Sequence, residues 1–306
     1  MLLLLGHCTD ARATKFAGEP YYLGVGGRAL GRGGAFVASR PDASVLYWNF
    51  AAAAILSRPE ILAQHAEAFG SLLNHDFVAV AMPPGTSGWA WGASIYYLGG
   101  SGIQLTVFDS TTGRPRVDRT ARHADWALAF GLARRTARWG SIGVTPKIVA
   151  RDLPGNSAWG LGVDLSWWNQ WRRVRAGAKV ADATTTFLSY DSGRKETIFP
   201  HINCGGELDL PPVSADLRAT LIGEAETYFE DRRAADQYWS GSLSTNLHLG
   251  LEIAWREQLS ARVGADAGRL ALGAGFALGR WAVDGALTDH EFLDTTYRVS
   301  LRFLLR

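Results

Sequence analysis

The chain has 306 residues, of which 31 are basic and 29 acidic, for a formal charge of +2. That near-balance excludes a general nucleic-acid binder, whose footprint is a strongly basic domain, and a hydrophobic content of 47% excludes a disordered chain. Two cysteines, Cys8 and Cys204, rule out a disulfide scaffold or a four-cysteine zinc site. The 35 glycines and 12 tryptophans point elsewhere, because membrane β-barrels place small residues inside and aromatic girdles at both interfaces. In chain order, Met1 to Leu5 is apolar but shorter than the ~7–15 residues of a signal-peptide core. Residues 1–14 therefore read either as the remnant of an export signal, with Ala11-Arg12-Ala13 as its cleavage site, or as a disordered N-terminus. Residues 15–57 form a second, glycine-rich block. Nowhere does the sequence contain the ~18–20 consecutive apolar residues of a spanning helix.

From residue 58 onward the hydrophobic pattern alternates with a period of two, which marks half-buried strands. The last segment shows it best: Tyr297, Val299, Leu301, Phe303 and Leu305 fall on one face, Arg298, Ser300 and Arg302 on the other. A helix would scatter those arginines around its circumference. The pattern predicts fourteen strands, over 60–69, 75–82, 88–98, 123–133, 138–151, 156–168, 171–182, 198–209, 213–225, 242–255, 258–267, 270–278, 281–287 and 295–305. An even number suits a closed antiparallel barrel with no unpaired edge. The links sort by parity. Those at 99–122, 183–197 and 226–241 are long and follow odd-numbered strands, whereas Asn169-Gln170, Arg256-Glu257 and Gly279-Arg280 are tight and follow even-numbered ones. Short turns on one rim and long loops on the other is the asymmetry of an outer-membrane barrel. Trp89, Trp139, Trp159, Trp168, Trp171, Trp239, Trp255 and Trp281 are predicted near strand ends, at the level of the lipid headgroups. Such an outer face would be a very large apolar surface in water, so lipid must cover it.

The block Leu23-Gly24-Val25-Gly26-Gly27-Arg28-Ala29-Leu30-Gly31-Arg32-Gly33-Gly34-Ala35, followed by Pro41-Asp42-Ala43-Ser44-Val45-Leu46-Tyr47-Trp48-Asn49, resembles the opening of the PorV/PorQ family, relatives of the FadL-type hydrocarbon transporters. The likeness continues through Leu249-Gly250-Leu251-Glu252, Gly273-Ala274-Gly275-Phe276 and the closing strand. Arg32 stands where that family usually has Met, and Phe50-Ala51-Ala52 replaces Pro-Ala-Gly, removing a proline and a glycine that shape the turn before the first strand. The resemblance implies an all-β protein of the bacterial outer membrane, a single antiparallel barrel over residues 58–306, with residues 15–57 folded into its lumen as a plug. The plug motif would comprise Gly24, Gly26, Arg28, Gly31, Gly33, Gly34, Asp42, Tyr47, Trp48 and Asn49. Arg28 and Asp42 are expected either to pair with lumen charges such as Glu207, Asp209, Lys147 and Arg175 or to make solvated periplasmic contacts. Lys179, Glu252 and Arg298 are further candidate lumen charges. Lys147, Arg151, Arg173, Arg175 and Lys179 lie on adjacent predicted strands, and either make one wall basic or are neutralised by Asp164, Glu207 and Asp209.

By the same resemblance the chain is expected to be a non-enzymatic accessory of type IX-like protein secretion, binding secreted cargo or secretion-system proteins through its long links. The alternative is a FadL-like transporter of fatty acids or other hydrophobic small molecules, which requires an apolar pocket in the lumen and a lateral or plug-gated route. An outer-membrane lipase-like enzyme would need a Ser–His pair that the sequence does not reveal. Gly24 to Ala29 matches G-x-G-x-x-A by letter but lacks the strand before and the helix after that a dinucleotide site needs. The seven histidines never fall at H-x-x-x-H spacing, and no G-x-S-x-G elbow occurs. The expected partners are outer-membrane lipids and either proteins or a hydrophobic small molecule. No cofactor, metal or nucleic acid is expected.

Overall fold

The computed structural model describes residues 15–68, 72–212, 214–289 and 295–305; the N-terminal stretch 1–14 and most of the link 288–294 lie outside them. The strands are β1 (Glu60–Ala68), β2 (Leu73–Met82), β3 (Trp89–Asp109), β4 (Arg114–Thr136), β5 (Gly140–Leu153), β6 (Asn156–Trp171), β7 (Val174–Ala181), β8 (Thr186–Tyr190), β9 (Lys195–Ile198), β10 (His201–Asp209), β11 (Leu217–Tyr228), β12 (Tyr238–Ser240), β13 (Leu243–Trp255), β14 (Leu259–Asp266), β15 (Arg269–Leu278), β16 (Trp281–Thr288) and β17 (Thr296–Leu304). Fourteen of them are the staves of one closed antiparallel barrel, while β8, β9 and β12 are short additions on the rim of long links. Closure is made by β17, which pairs back onto β1 with Glu60 opposite Leu304 and Glu67 opposite Tyr297.

The alternation predicted from the sequence is the reason for this shape. Ile95, Leu128, Ile148, Leu161, Leu249, Val263 and Leu301 point outward and are exposed, while their neighbours along each strand are turned inward. Such a belt is stable only in hydrocarbon, where a closed barrel leaves no strand edge open to lipid. Among the described residues no helix is long and apolar enough to cross a membrane.

Three predicted links are more ordered than loops. The stretch 99–122 is mostly strand: β3 and β4 run on together as a two-stranded ribbon, with register irregularities between Ser101 and Ile103 and between Leu105 and Thr106. Its arginines break the hydrophobic period without breaking the backbone pairing. The link 183–197 contains the β8–β9 hairpin, and β11 continues to Tyr228 before a 3-10 turn at Arg233–Ala235. Seven of the eight tryptophans placed near strand ends are exposed as expected. Trp168 is not: it faces inward and its indole N–H donates to the Ala38 carbonyl at 3.0 Å.

Residues 15–57 pack against the inward-facing side chains as a chain of short helical turns, Glu19–Tyr21, Gly27–Leu30, Val45–Trp48 and Phe50–Ile55. The departure at Phe50-Ala51-Ala52 is accommodated by the last of these, whose first turn is capped by Asn49 Oδ1 accepting from the Ala51 N–H at 3.2 Å. Phe50 fits because the wall opposite it is Gly131, where a Cβ would lie 2.5 Å from the ring.

Candidate functional site

Toward the rim of short turns, plug and wall meet through charge. Arg32 is fully buried; it reaches Glu207 at 3.0 Å and donates to Ser39 Oγ at 2.7 Å. Glu207 is shared with Arg175 at 2.6 Å, and Arg175 also holds Asp209, which Arg40 approaches from the plug at 2.7 Å. Arg28 pairs with a lumen charge as one of the two expectations had it, but with Glu252 and not with Glu207 or Asp209. It lies 3.4 Å from Glu252 and 3.5 Å from Asp42 of its own segment, because Arg32 occupies the place beside Glu207. Asp42 accordingly pairs within the plug, where it also accepts from the Ser44 N–H at 2.9 Å. Glu252 is completed by Arg262 at 2.6 Å.

Lys147, Arg151 and Lys179 are neutralised rather than forming a basic wall, Arg151 by Asp125 at 2.7 Å. Lys147 lies 2.8 Å from Asp164 and 3.0 Å from Asp182. Lys179 lies 3.2 Å from Asp164 and donates to the Tyr47 carbonyl at 2.7 Å. Arg298 stands apart from this network; its Nη1 donates to Thr288 Oγ1 at 2.6 Å, and among the described residues no carboxylate pairs with it.

Backbone closeness explains the glycines. Gly33 has φ +70°, and a Cβ there would lie 2.6 Å from the Ala265 carbonyl oxygen, so both conformation and space demand glycine. At Gly31 space alone makes the demand, since a Cβ there would lie 2.8 Å from the Gly273 Cα. The Gly24 N–H donates to Tyr47 Oη at 3.1 Å, the Gly26 N–H to Gln64 Oε1, and Gly34 faces the His248 ring. Trp48 donates to the Val25 carbonyl at 2.9 Å, and Asn49 Nδ2 to the carbonyls of Val37 and Trp167 at 2.6 and 2.9 Å. Glu224 was missed from the sequence, yet it accepts from the N–H groups of Phe36 and Val37 at 2.8 Å each. Inward parity on its strand was its only signal, and parity does not choose a partner.

Toward the long links the interior changes character. A cavity of about 110 Å³ is lined by the rings of Tyr21, Tyr22, Tyr47, Trp48, Phe77 and Tyr96 together with charged and polar wall residues, among them Lys147, Asp164, Lys179, His201, Glu226 and His248. Residues 15–22 cover it: Arg232 holds Glu19 at 2.6 Å, and Arg151 donates to the Ala17 carbonyl at 3.0 Å. Burial raises the Glu19 carboxyl above the usual carboxylate range against the pull of Arg232. Burial likewise raises the hydroxyls of Tyr21, Tyr22 and Tyr47, keeping them protonated donors. A second cavity, about 430 Å³ and lined by Arg28, Arg40, Arg175, Glu207, Asp209 and Glu252 among others, opens at the rim of short turns.

Outside the barrel, a groove of about 760 Å³ crosses the apolar belt over Ile95, Leu128, Phe130, Ile148 and Leu161. It shares Ser94, Ala129 and Lys147 with the aromatic cavity, so there only the paired backbones of β3, β4 and β5 separate the two. Two irregularities bracket this place. Pro146 has no N–H to give the ladder, and β4 and β5 are unpaired between Ala129–Lys147 and Leu132–Val144. Beyond β6, the chain steps inward between β7 and β8, so that Phe187 closes on the inner face of Gly160 and Thr186 on that of Gly162. Among the described residues no group of three or more His, Cys, Asp or Glu side chains is placed to hold a metal ion.

No family model matches this sequence, and no curated protein does. Solved structures do. The chain is similar to the Ralstonia pickettii toluene transporter TbuX, with a TM-score of 0.59 at 12% identity over 92% of this chain and 99% of that one. The CymD monoaromatic hydrocarbon channel gives 0.60 at 12%, over 92% and 98%. A Pseudomonas aeruginosa FadL homologue gives 0.52 at 11%, over 90% and 97%. The fold is that of these channels. At such identities the likeness extends to the fold alone, so what this chain handles must be argued from its own side chains.

Proposed function

We propose that the chain is an outer-membrane conduit for small hydrophobic molecules, working by binding and diffusion and without chemistry on its substrate. In this reading residues 15–57 are the plug and residues 58–306 the barrel. The observation that carries it is that the aromatic cavity and the lipid-facing groove lie back to back across Ser94, Ala129 and Lys147, beside the stretch where β4 and β5 are unpaired. A straight path through the lumen is blocked by the buried charges around Arg32 and Glu207. A sideways path between cavity and bilayer crosses only the irregular wall at Pro146. The neighbours described as toluene and monoaromatic hydrocarbon channels support the same class of cargo. The secretion-accessory role expected first from the sequence has no comparable support, and the conduit, given there as the alternative, replaces it.

The test is uptake of a radiolabelled monoaromatic hydrocarbon by outer-membrane-bearing host cells that express the chain. Wild type should raise uptake over an empty vector. Ala129→Trp, which fills the place where cavity and groove meet, should return uptake at least severalfold toward background while the barrel still folds, as judged by heat-modifiable gel migration. Unchanged uptake in that variant would rule out the sideways path; no uptake by wild type would rule out the conduit.

A further inference from the structure

The β3–β4 ribbon has a surface that the conduit does not use. Past Gly99 on β3 and Ala124 on β4 the two strands lose their neighbours β2 and β5 and pair only with each other, out to Asp109 and Arg114. Both edges and both faces are therefore open, on the rim of long links that an outer-membrane barrel turns to the outside. A two-stranded ribbon alone in water is marginally stable, and this one exposes Ile103, Val107, Val117 and, at 72%, Phe108.

Its charge is unspent. Arg114, Arg116, Arg119 and Arg122 stand on it against Asp109 and Asp118. All four arginines are exposed, and among the described residues none pairs with a carboxylate. Asp109 is engaged in the turn, accepting from the Thr111 N–H at 2.9 Å and Thr112 Oγ1 at 3.0 Å. In the lumen, by contrast, Arg32, Arg151, Arg175 and Arg262 each hold a carboxylate at 3.0 Å or less.

The register places these arginines. Arg119 is opposite Leu105 but Val117 is opposite Thr106, so Asp118 drops out of the alternation as a bulge. Without it Arg119 and Arg116 would point to opposite sides. With it Arg119, Arg116 and Arg114, opposite Leu105, Val107 and Asp109, form one row about 7 Å apart along the ribbon. Arg122 lies on the other face, with Phe108 and Val117, and on the same side of β4 as Trp126, which packs on Tyr97 at 4.5 Å. Four residues of tilted strand raise Arg122 about 10 Å above that aromatic pair.

Both faces thus mix guanidinium groups with apolar side chains, which suits a lipid headgroup layer better than water or hydrocarbon. Arginine pairs with phosphate through two parallel N–H donors. Addition of a further protein strand is disfavoured, because bulges and edge charges are what keep open edges from pairing. A phospholipid headgroup layer is only about 5–8 Å deep, whereas the sugars of a glycolipid extend the layer along the ribbon. We propose that the ribbon binds the phosphorylated headgroups of an outer-leaflet glycolipid, with Arg122 on the phosphates nearest the membrane and Arg119, Arg116 and Arg114 on anionic groups farther out. This surface is separate from the conduit, and neither depends on the other.

The purified full-length barrel in nonionic detergent is titrated with rough lipopolysaccharide (lipid A and core sugars with their phosphates) and with the same glycolipid after dephosphorylation, bound lipid being counted by native mass spectrometry. Wild type should bind the phosphorylated form at least about tenfold more tightly. Joint substitution Arg114→Gln, Arg116→Gln, Arg119→Gln and Arg122→Gln should abolish that preference while heat-modifiable gel migration is kept. Equal binding of the two forms by wild type overturns the proposal, as does a preference that survives the fourfold substitution. A dimer of the purified barrel that the substitution dissolves, with no preference between the lipids, would assign the ribbon to a second copy of the chain and overturn it too. Should the fourfold variant fail to fold, the pair Arg116→Gln and Arg119→Gln decides in the same way.

Discussion

Between residues 28 and 42 the plug meets the barrel through guanidinium and carboxylate groups paired with one another, beside a vestibule that opens at the rim of short turns, whereas residues 21–24 of the same segment meet it through tyrosines around an inner cavity. The difference follows from what each kind of contact demands. Buried charges are tolerated only when fully paired in one geometry, so Arg32, Glu207 and Arg175 hold the plug in a single position. The tyrosines are held instead by hydroxyl contacts, Tyr22 to Asp182 at 3.3 Å and Tyr47 to the Tyr21 carbonyl at 3.0 Å, and their rings border the cavity. One end of the plug therefore seals, and the other end binds. That division is why the proposed route turns sideways through the wall at Ala129 instead of passing the charged end.

The contrast can be broken by substitution at either end. Glu207→Ala has the largest expected effect. It leaves Arg32 with Ser39 alone and deprives Arg175 of one of its two carboxylates, and stripping one member from a buried ionic group costs roughly 3–5 kcal/mol. The guanidinium midpoint of unfolding in detergent micelles should fall accordingly. At the aromatic end, Tyr22→Phe removes one hydroxyl contact, to Asp182 at 3.3 Å, and keeps the ring; a loss of about 1 kcal/mol or less is expected in the same titration. Equal losses in the two variants would show that charge does not distinguish the two ends.

Much of the barrel was legible because lipid outside and a packed lumen inside impose alternation on every stave, and a slip of one residue would reverse all of them. Legibility ended where that pressure ends. Beyond the membrane, the ribbon at Arg114–Arg122 has no apolar side to keep, so its strands read as a loop. Trp168 read as a girdle residue, since a sequence locates a tryptophan near a strand end but not the Ala38 carbonyl that draws it inward. The glycines of the plug were visible because close backbone approach admits little else, as at Gly33. They report packing and not cargo, which is why the family resemblance pointed first to secretion. The cavity residues Tyr22, Tyr96 and His201 come from segments far apart in the chain, and only closure of the barrel brings them together.

The smallest expected effect sharpens the comparison within the charged end itself. Arg40 contacts Asp209 at 2.7 Å, closer than Arg32 approaches Glu207, but its side chain is 51% exposed. Asp209 remains bound by Arg175 through hydrogen bonds of 2.7 and 2.5 Å when Arg40 is removed. Arg40→Ala should therefore cost no more than about 1 kcal/mol, as exposed ion pairs do, and the difference from wild type should shrink further at high salt because an exposed pair is screened. Glu207→Ala should keep its deficit at high salt, since ions do not reach Arg32. Unfolding midpoints of the two variants at low and high salt separate these cases. A large, salt-independent loss in Arg40→Ala would mean that the seal extends to the rim of the barrel and is not confined to the buried arginines.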